Sequence, residues 1–267
     1  MPAWCDAHLH LQDPRLSGQL GEIILQARAA GVLACSVNTT CEADWPAVAA
    51  LARAHPDWII PSFGIHPWKA DTTTPGWDAR LIRMLEEFPH AGIGECGVDR
   101  WVKSPPIVLQ RSVFSRQLAL ARALDRTVSV HCLKAWGLLL DELAQQTPRR
   151  FLIHSFGGSA ETARELLRLG AYFSFSGYFL FPKKHAVLEV FRQLPKHRIL
   201  VETDAPDMAP PDEFISHCLP NGANHPANLP SIGRALAKQL GMEAQTFADI
   251  TNKHFHMLFP RRHSENL

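Results

Sequence analysis

Short apolar runs recur along the chain and alternate with longer stretches in which apolar residues return every three or four positions. The runs are 3–10 (AWCDAHLH), 32–40 (VLACSVNTT), 58–66 (WIIPSFGIH), 91–95 (AGIGE), 127–131 (TVSVH), 150–154 (RFLIH), 171–177 (AYFSFSG) and 198–204 (RILVETD). Their length and near-continuous hydrophobicity predict strands covered on both faces, as in a parallel sheet. The clearest helical stretch is 107–124, where Val113, Phe114, Leu118, Leu120, Ala121 and Leu124 form one apolar stripe. Another follows Ser159, an N-cap residue type, and ends at Gly170, a suitable C′ residue. A strand-then-helix rhythm repeated eight times predicts a (β/α)8 TIM barrel, with residues 1–267 forming a single domain. Residues 228–258 add two helices at the C-terminal end, and the Pro-rich 205–230 segment reads as a long loop after the eighth strand.

The polar residues break this pattern at one recurring place. In such a barrel the active site lies at the C-terminal ends of the strands. The runs there end in His8 and His10, His66, Glu95, His131, His154 and Asp204. His8 and His10 are two residues apart, so in a strand both point to one face, and the same alternation aligns Asp204 with Glu202. A single histidine at a strand end is more often a hydrogen-bonded core residue. Five histidines and two acids at equivalent places are not explained that way. Neutral imidazoles and carboxylates suit divalent ions, and a carboxylate such as Glu95 can bridge two of them. The expected ligands are His8, His10, Glu95, His131, His154 and Asp204, around two divalent ions of the kind imidazole suits, Zn, Mn, Fe or Ni. Glu202, buried one layer deeper, is expected to hold the ring of a ligating histidine, with a salt bridge to a barrel arginine or lysine as its other reading.

Composition narrows the remaining choices. The chain has 267 residues, 46% of them hydrophobic and 20% charged, which is ample for a closed barrel. A net charge of +1 excludes a global field that would draw the protein to a polyanion, so any such binding is local. The six cysteines contain no C-x-x-C pair and read as reduced thiols. Neither a signal-like apolar core nor a run of about 18 apolar residues occurs. A cytoplasmic protein with no membrane association and no obligate protein partner is expected.

The motifs D-A-H-L-H at 6–10, G-I-H-P at 64–67, G-E-C-G-V-D at 94–99, H-S-F-G-G-S at 154–159, E-T-D-A-P at 202–206 and N-H-P-A-N-L at 224–229, with His131, occur in order. Together they resemble the TatD family of metal-dependent hydrolases, often called TatD deoxyribonucleases, over residues 6 to about 259. The resemblance implies an amidohydrolase-like barrel with a dinuclear divalent site, which adds Mg to the candidate ions, and hydrolysis of phosphodiesters, with DNA ends as the best-known substrate. Two positions depart from the family pattern: Leu133 stands where H-x-R is usual, and 224–226 reads Asn-His-Pro rather than Asn-Glu-Pro. Both bear on substrate handling rather than on metal binding.

Two ions activate a water and clamp phosphoryl oxygens, which supplies nucleophile and electrophile together. Asp204 is then the expected catalytic group that orients the water and takes its proton. His66 is the expected donor to a phosphate oxygen or the leaving group, or else a brace for its turn. Lys134 is expected to contact substrate. Lys69, Arg100, Lys103, Lys183 and Lys184 lie where phosphates could meet them, but they share the same loops with the acids Asp71, Asp99, Asp207, Asp212 and Glu213, so a mixed solvated rim is the other reading. Trp68, Trp101, Tyr178 and Phe179 are candidates for stacking on exposed bases, with core packing or loop anchoring as their other reading. The partner is therefore DNA or another phosphodiester. The alternatives are a hydrolase of a small ester, lactone or amide on the same scaffold and, third, a non-catalytic binding protein, which the intact ligand set opposes.

Overall fold

All eight apolar runs pair in sequence order within one parallel sheet in a computed structural model that describes residues 2–103, 105–220 and 222–261. The strands are β1 (Trp4–Leu9), β2 (Val32–Asn38), β3 (Ile59–Phe63), β4 (Gly92–Asp99), β5 (Val128–Leu133), β6 (Phe151–Ile153), β7 (Tyr172–Ser176) and β8 (Ile199–Glu202). Just past its end β8 returns to β1: the Asp204 N–H donates to the His8 carbonyl at 2.9 Å, and the His10 N–H donates to the Ala205 carbonyl at 2.8 Å. These bonds close the seam of a (β/α)8 TIM barrel.

The helices between and after the strands are α1 (Leu20–Ala30), α2 (Trp45–Ala54), α3 (Trp77–Glu87), α4 (Ile107–Ala123), α5 (Trp136–Gln145), α6 (Ala160–Arg168), α7 (His185–Gln193), α8 (Leu229–Gln239) and α9 (Ala244–Leu258). The stripe on α4 buries Val113, Phe114, Leu118, Leu120 and Ala121 against the sheet. Ser159 caps α6 by accepting the Thr162 N–H at 3.2 Å. None of the helices among the described residues is long and apolar enough to cross a membrane.

Two strands run further than their apolar runs suggest. β4 continues past Glu95 to Asp99, and β5 continues past His131 to Leu133, because the two stay paired from Gly97–His131 to Asp99–Leu133. The Asp99 N–H is then tied to the Gln110 side chain of α4 at 2.8 Å. Glu95 consequently projects from within a strand, where backbone on both sides restrains it.

Period two sorts the barrel interior into layers. A lower apolar layer contains Ala34, Ile60, Leu152, Tyr172 and Leu200, closed from below by Phe255, Leu258 and Phe259 of the α9 end. Two residues further along the same strands come Ser36, Ser62, His154, Ser174 and Glu202, all buried. The polar layer bonds within itself, as Ser36 does to Ser62 at 3.4 Å. An apolar floor thus carries a polar shelf, and the histidines sit on the shelf.

The shelf needs close backbone approach. At Gly97, with φ of 152°, a Cβ would fall 1.9 Å from the His131 carbonyl oxygen. Gly97→Ala is expected to cost about 3 kcal/mol or more through overpacking. Gly137→Ala on α5, where nothing lies within 4 Å, should be neutral or gain up to about 1 kcal/mol. Chemical denaturation of the two variants measures both, and equal stabilities would contradict this account of the β4–β5 contact.

Candidate metal centre

Four imidazoles and two carboxylates converge on the polar shelf. Glu95 stands at their middle, 3% exposed. Its Oε2 lies 3.2 Å from both His8 Nε2 and His10 Nε2. Its Oε1 lies 2.8 Å from both His131 Nδ1 and His154 Nε2. Asp204 enters from the seam, with Oδ1 3.6 Å from His10 Nε2 and 3.9 Å from His8 Nε2. The six residues expected as ligands are therefore all brought together, with one Glu95 oxygen facing each histidine pair.

The outer ring nitrogens decide what the inner ones offer. His10 Nδ1 donates to the Asn38 carbonyl at 2.8 Å, so its Nε2 carries a bare lone pair in the neutral ring. His131 Nε2 donates to the Asp99 carboxylate at 2.8 Å, which leaves Nδ1 bare. His8 Nδ1 is held by the Ser129 hydroxyl at 2.8 Å. His8 Nε2 and His10 Nε2 stand 3.2 Å apart, and His131 Nδ1 and His154 Nε2 stand 3.3 Å apart. Ring nitrogens this close need a proton or a cation between them, and this donor set of imidazoles around carboxylates is one that divalent transition ions accept. The residues present fit a metal.

In the absence of an ion, protons respond to the same field. Burial favours neutral His10, but the carboxylates of Asp204 and Glu95 outweigh it and raise its pKa to about 10. Burial also opposes a charge on His154, yet the Glu95 and Glu202 carboxylates raise it well above the usual histidine value. Glu95 is held well below the ordinary carboxylate range, its burial overcome by the surrounding imidazoles. Positive charge is what this pocket attracts.

His66 belongs to the same cluster but is tuned differently. Its Nδ1 accepts the Trp68 N–H at 3.1 Å, so the neutral ring carries its proton on Nε2, 3.3 Å from Glu95 Oε1. Burial pulls its pKa down to about 4. The ring is thus both a brace for its turn and an N–H donor aimed into the site. Gln117 of α4 fixes the preceding residue, accepting the Ile65 N–H at 2.9 Å and donating to the Ile65 carbonyl at 3.2 Å.

Glu202 accepts from the Ser155 N–H and hydroxyl at 2.7 and 2.6 Å and from the Ser174 hydroxyl, and its Oε1 faces His154 Nδ1 at 3.7 Å, an ion-pair distance behind that ring. Lys134 is exposed, with its ammonium 4.4 Å above the Trp101 ring and outside the cavity wall. That cavity, about 360 Å³, opens above the cluster between His10, Asp204, Trp68, Lys69, His131 and Leu133. Of the basic loop residues only Lys69 lines it.

Asp99 was grouped by sequence with the solvated rim, and the structure corrects that. It is 1% exposed and holds His131. The missed signal was positional: Asp99 follows Glu95 by four residues, so a longer β4 carries it inward. Period two places Ser129 inside with His131 on β5, but its bond to the His8 ring is a contact across the barrel that no local pattern carries.

A family model described as TatD related DNase matches residues 5–260. A relative from Rahnella sp., named 3'-5' ssDNA/RNA exonuclease TatD, is 30% identical over 89% of this chain and 91% of its own. A relative from Bacillus subtilis, the uncharacterized metal-dependent hydrolase YabD, is 29% identical over 95% of this chain and 98% of its own. Among solved structures, YjjV, a TatD homolog from Escherichia coli, superposes with a TM-score of 0.89 at 25% identity, covering 97% of this chain and 98% of its own.

Removing the outer partner of a ligating histidine typically lowers metal affinity 10- to 100-fold. Asp99→Ala should weaken divalent-ion binding by about that factor, read by calorimetric titration of the metal-stripped protein. Unchanged affinity would detach Asp99 from the centre.

Proposed function

The chain belongs to the TatD related DNase family, and from this premise we propose that it trims the ends of single-stranded nucleic acid by hydrolysing terminal phosphodiesters. It is a hydrolase that uses divalent metal. Two ions would be held by His8, His10, Asp204 and Glu95 on one side and by His131, His154 and Glu95 on the other. Four imidazoles in the set favour Zn, Mn, Fe or Ni over Mg, which prefers oxygen donors. The observation that carries the reading is the placement of Glu95, whose two oxygens each face a separate pair of imidazole nitrogens beneath an open cavity.

Bound in this cluster, such ions lower the pKa of water and offset the charge of a phosphoryl group. The protein's own groups supply the rest. Asp204 Oδ1 borders the cavity and is the proposed acceptor of the attacking water's proton. The His66 Nε2–H, kept neutral by burial, is the proposed donor to a phosphate oxygen or the departing oxygen. Lys69 lines the wall and can meet the next phosphate. Lys134, braced on Trp101, is proposed to touch the chain further out.

A cavity with one mouth and a blind floor suits a free strand end better than uninterrupted duplex. This agrees with the exonuclease name carried by the Rahnella relative.

The test is digestion of end-labelled single- and double-stranded DNA and RNA with several divalent ions and with chelator. Stepwise loss of the single strand only when an ion is present is the expected result. Absence of cleavage with every ion, alongside turnover of a small ester or amide, would reject the nuclease reading. Asp204→Asn should lower kcat by about 10²- to 10⁴-fold without loss of the fold. Full activity in that variant would remove Asp204 from proton transfer.

A further inference from the structure

We propose that Trp68 is the platform that recognises the nucleobase of the cleaved terminal nucleotide, and that its hydrogen bond to Asp99 couples that recognition to the orientation of His131. This deepens the nuclease reading and rests on it.

Trp68 is 45% exposed, yet it is fixed in place. Its indole N–H donates to Asp99 Oδ2 at 2.8 Å, and that same oxygen accepts from His131 Nε2 at 2.8 Å. Its ring stands edge-on to the His66 ring at 5.1 Å and to the His131 ring at 6.2 Å. Its backbone N–H is held by His66. The buried part of the residue and its paired N–H groups hold the ring still, while the rest of it stays open to solvent. A rigid aromatic surface bordering a cavity binds a flat partner without losing side-chain freedom at that moment.

The other aromatic candidates do not offer this. Trp101 lies outside the cavity wall and has the Lys134 ammonium over its ring at 4.4 Å. Tyr178 carries Lys183 and Lys184, at 5.4 and 4.9 Å from its centroid. Phe179 is 5% exposed. Trp68 alone of the four borders the cavity, and its chain neighbour Lys69 brings a cation beside it. An aromatic face next to an ammonium matches a base joined to a phosphate. Stacking tolerates every base, so the preference is for a base over none rather than for one base over another.

The experiment measures binding of deoxyadenosine monophosphate and of base-free deoxyribose 5-phosphate to the metal-loaded protein, by calorimetry. The wild type should bind the nucleotide about 5- to 150-fold more tightly than the base-free compound. Trp68→Leu should erase that preference, whereas Trp68→Phe should keep most of it. Equal binding of the two compounds by the wild type, or an intact preference in Trp68→Leu, overturns the platform. Trp68→Phe retains a ring but loses the N–H, so it should show nearly native KM with lowered kcat on oligonucleotides. Native kcat in Trp68→Phe overturns the coupling.

A Trp68-dependent base preference without oligonucleotide cleavage would uphold the platform and reject the nuclease reading. Cleavage without that preference would do the reverse.

Discussion

The structure turns on one electrostatic constraint: a carboxylate buried at the centre of a closed sheet and ringed by imidazoles. Burying Glu95 would cost several kcal/mol with nothing positive beside it. The Asn38 carbonyl and Asp99 turn the bare nitrogens of His10 and His131 inward, so these two rings do not relieve that cost while neutral. A positive charge among the rings does, whether a proton or a metal ion supplies it. The serines of the polar shelf, the close contact at Gly97 and the two glutamines of α4 serve this arrangement, because each holds a strand or a ring where the cluster needs it.

Much of this was legible in the sequence. Eight apolar runs became eight strands, and the six ligand-type residues at or near their ends meet in space. Strand ends in a parallel barrel are equivalent positions, so a coincidence of residue types there carries three-dimensional information. The TatD-like motifs, read in order, agree with the family that the whole chain matches.

The remainder was hidden because it depends on tertiary partners. Nothing local says that β4 outlasts its apolar run, since its last residues are kept in place by β5 and by Gln110. Without that extension Asp99 reads as one more loop acid. Glu202 could be assigned to the interior beside a histidine by period two, but not the hydrogen bonds from Ser155 and Ser174 that hold its carboxylate 3.7 Å behind the His154 ring. The proton position on His66 is set by the Trp68 amide, a contact that exists only once the turn has formed.

The floor of the barrel has its own bearing on access. Phe255, Leu258 and Phe259 seal the shaft from below, so among the described residues nothing passes along the barrel axis from the polar shelf to the opposite face. Whatever reaches the cluster has to enter and leave on the side of the strand ends.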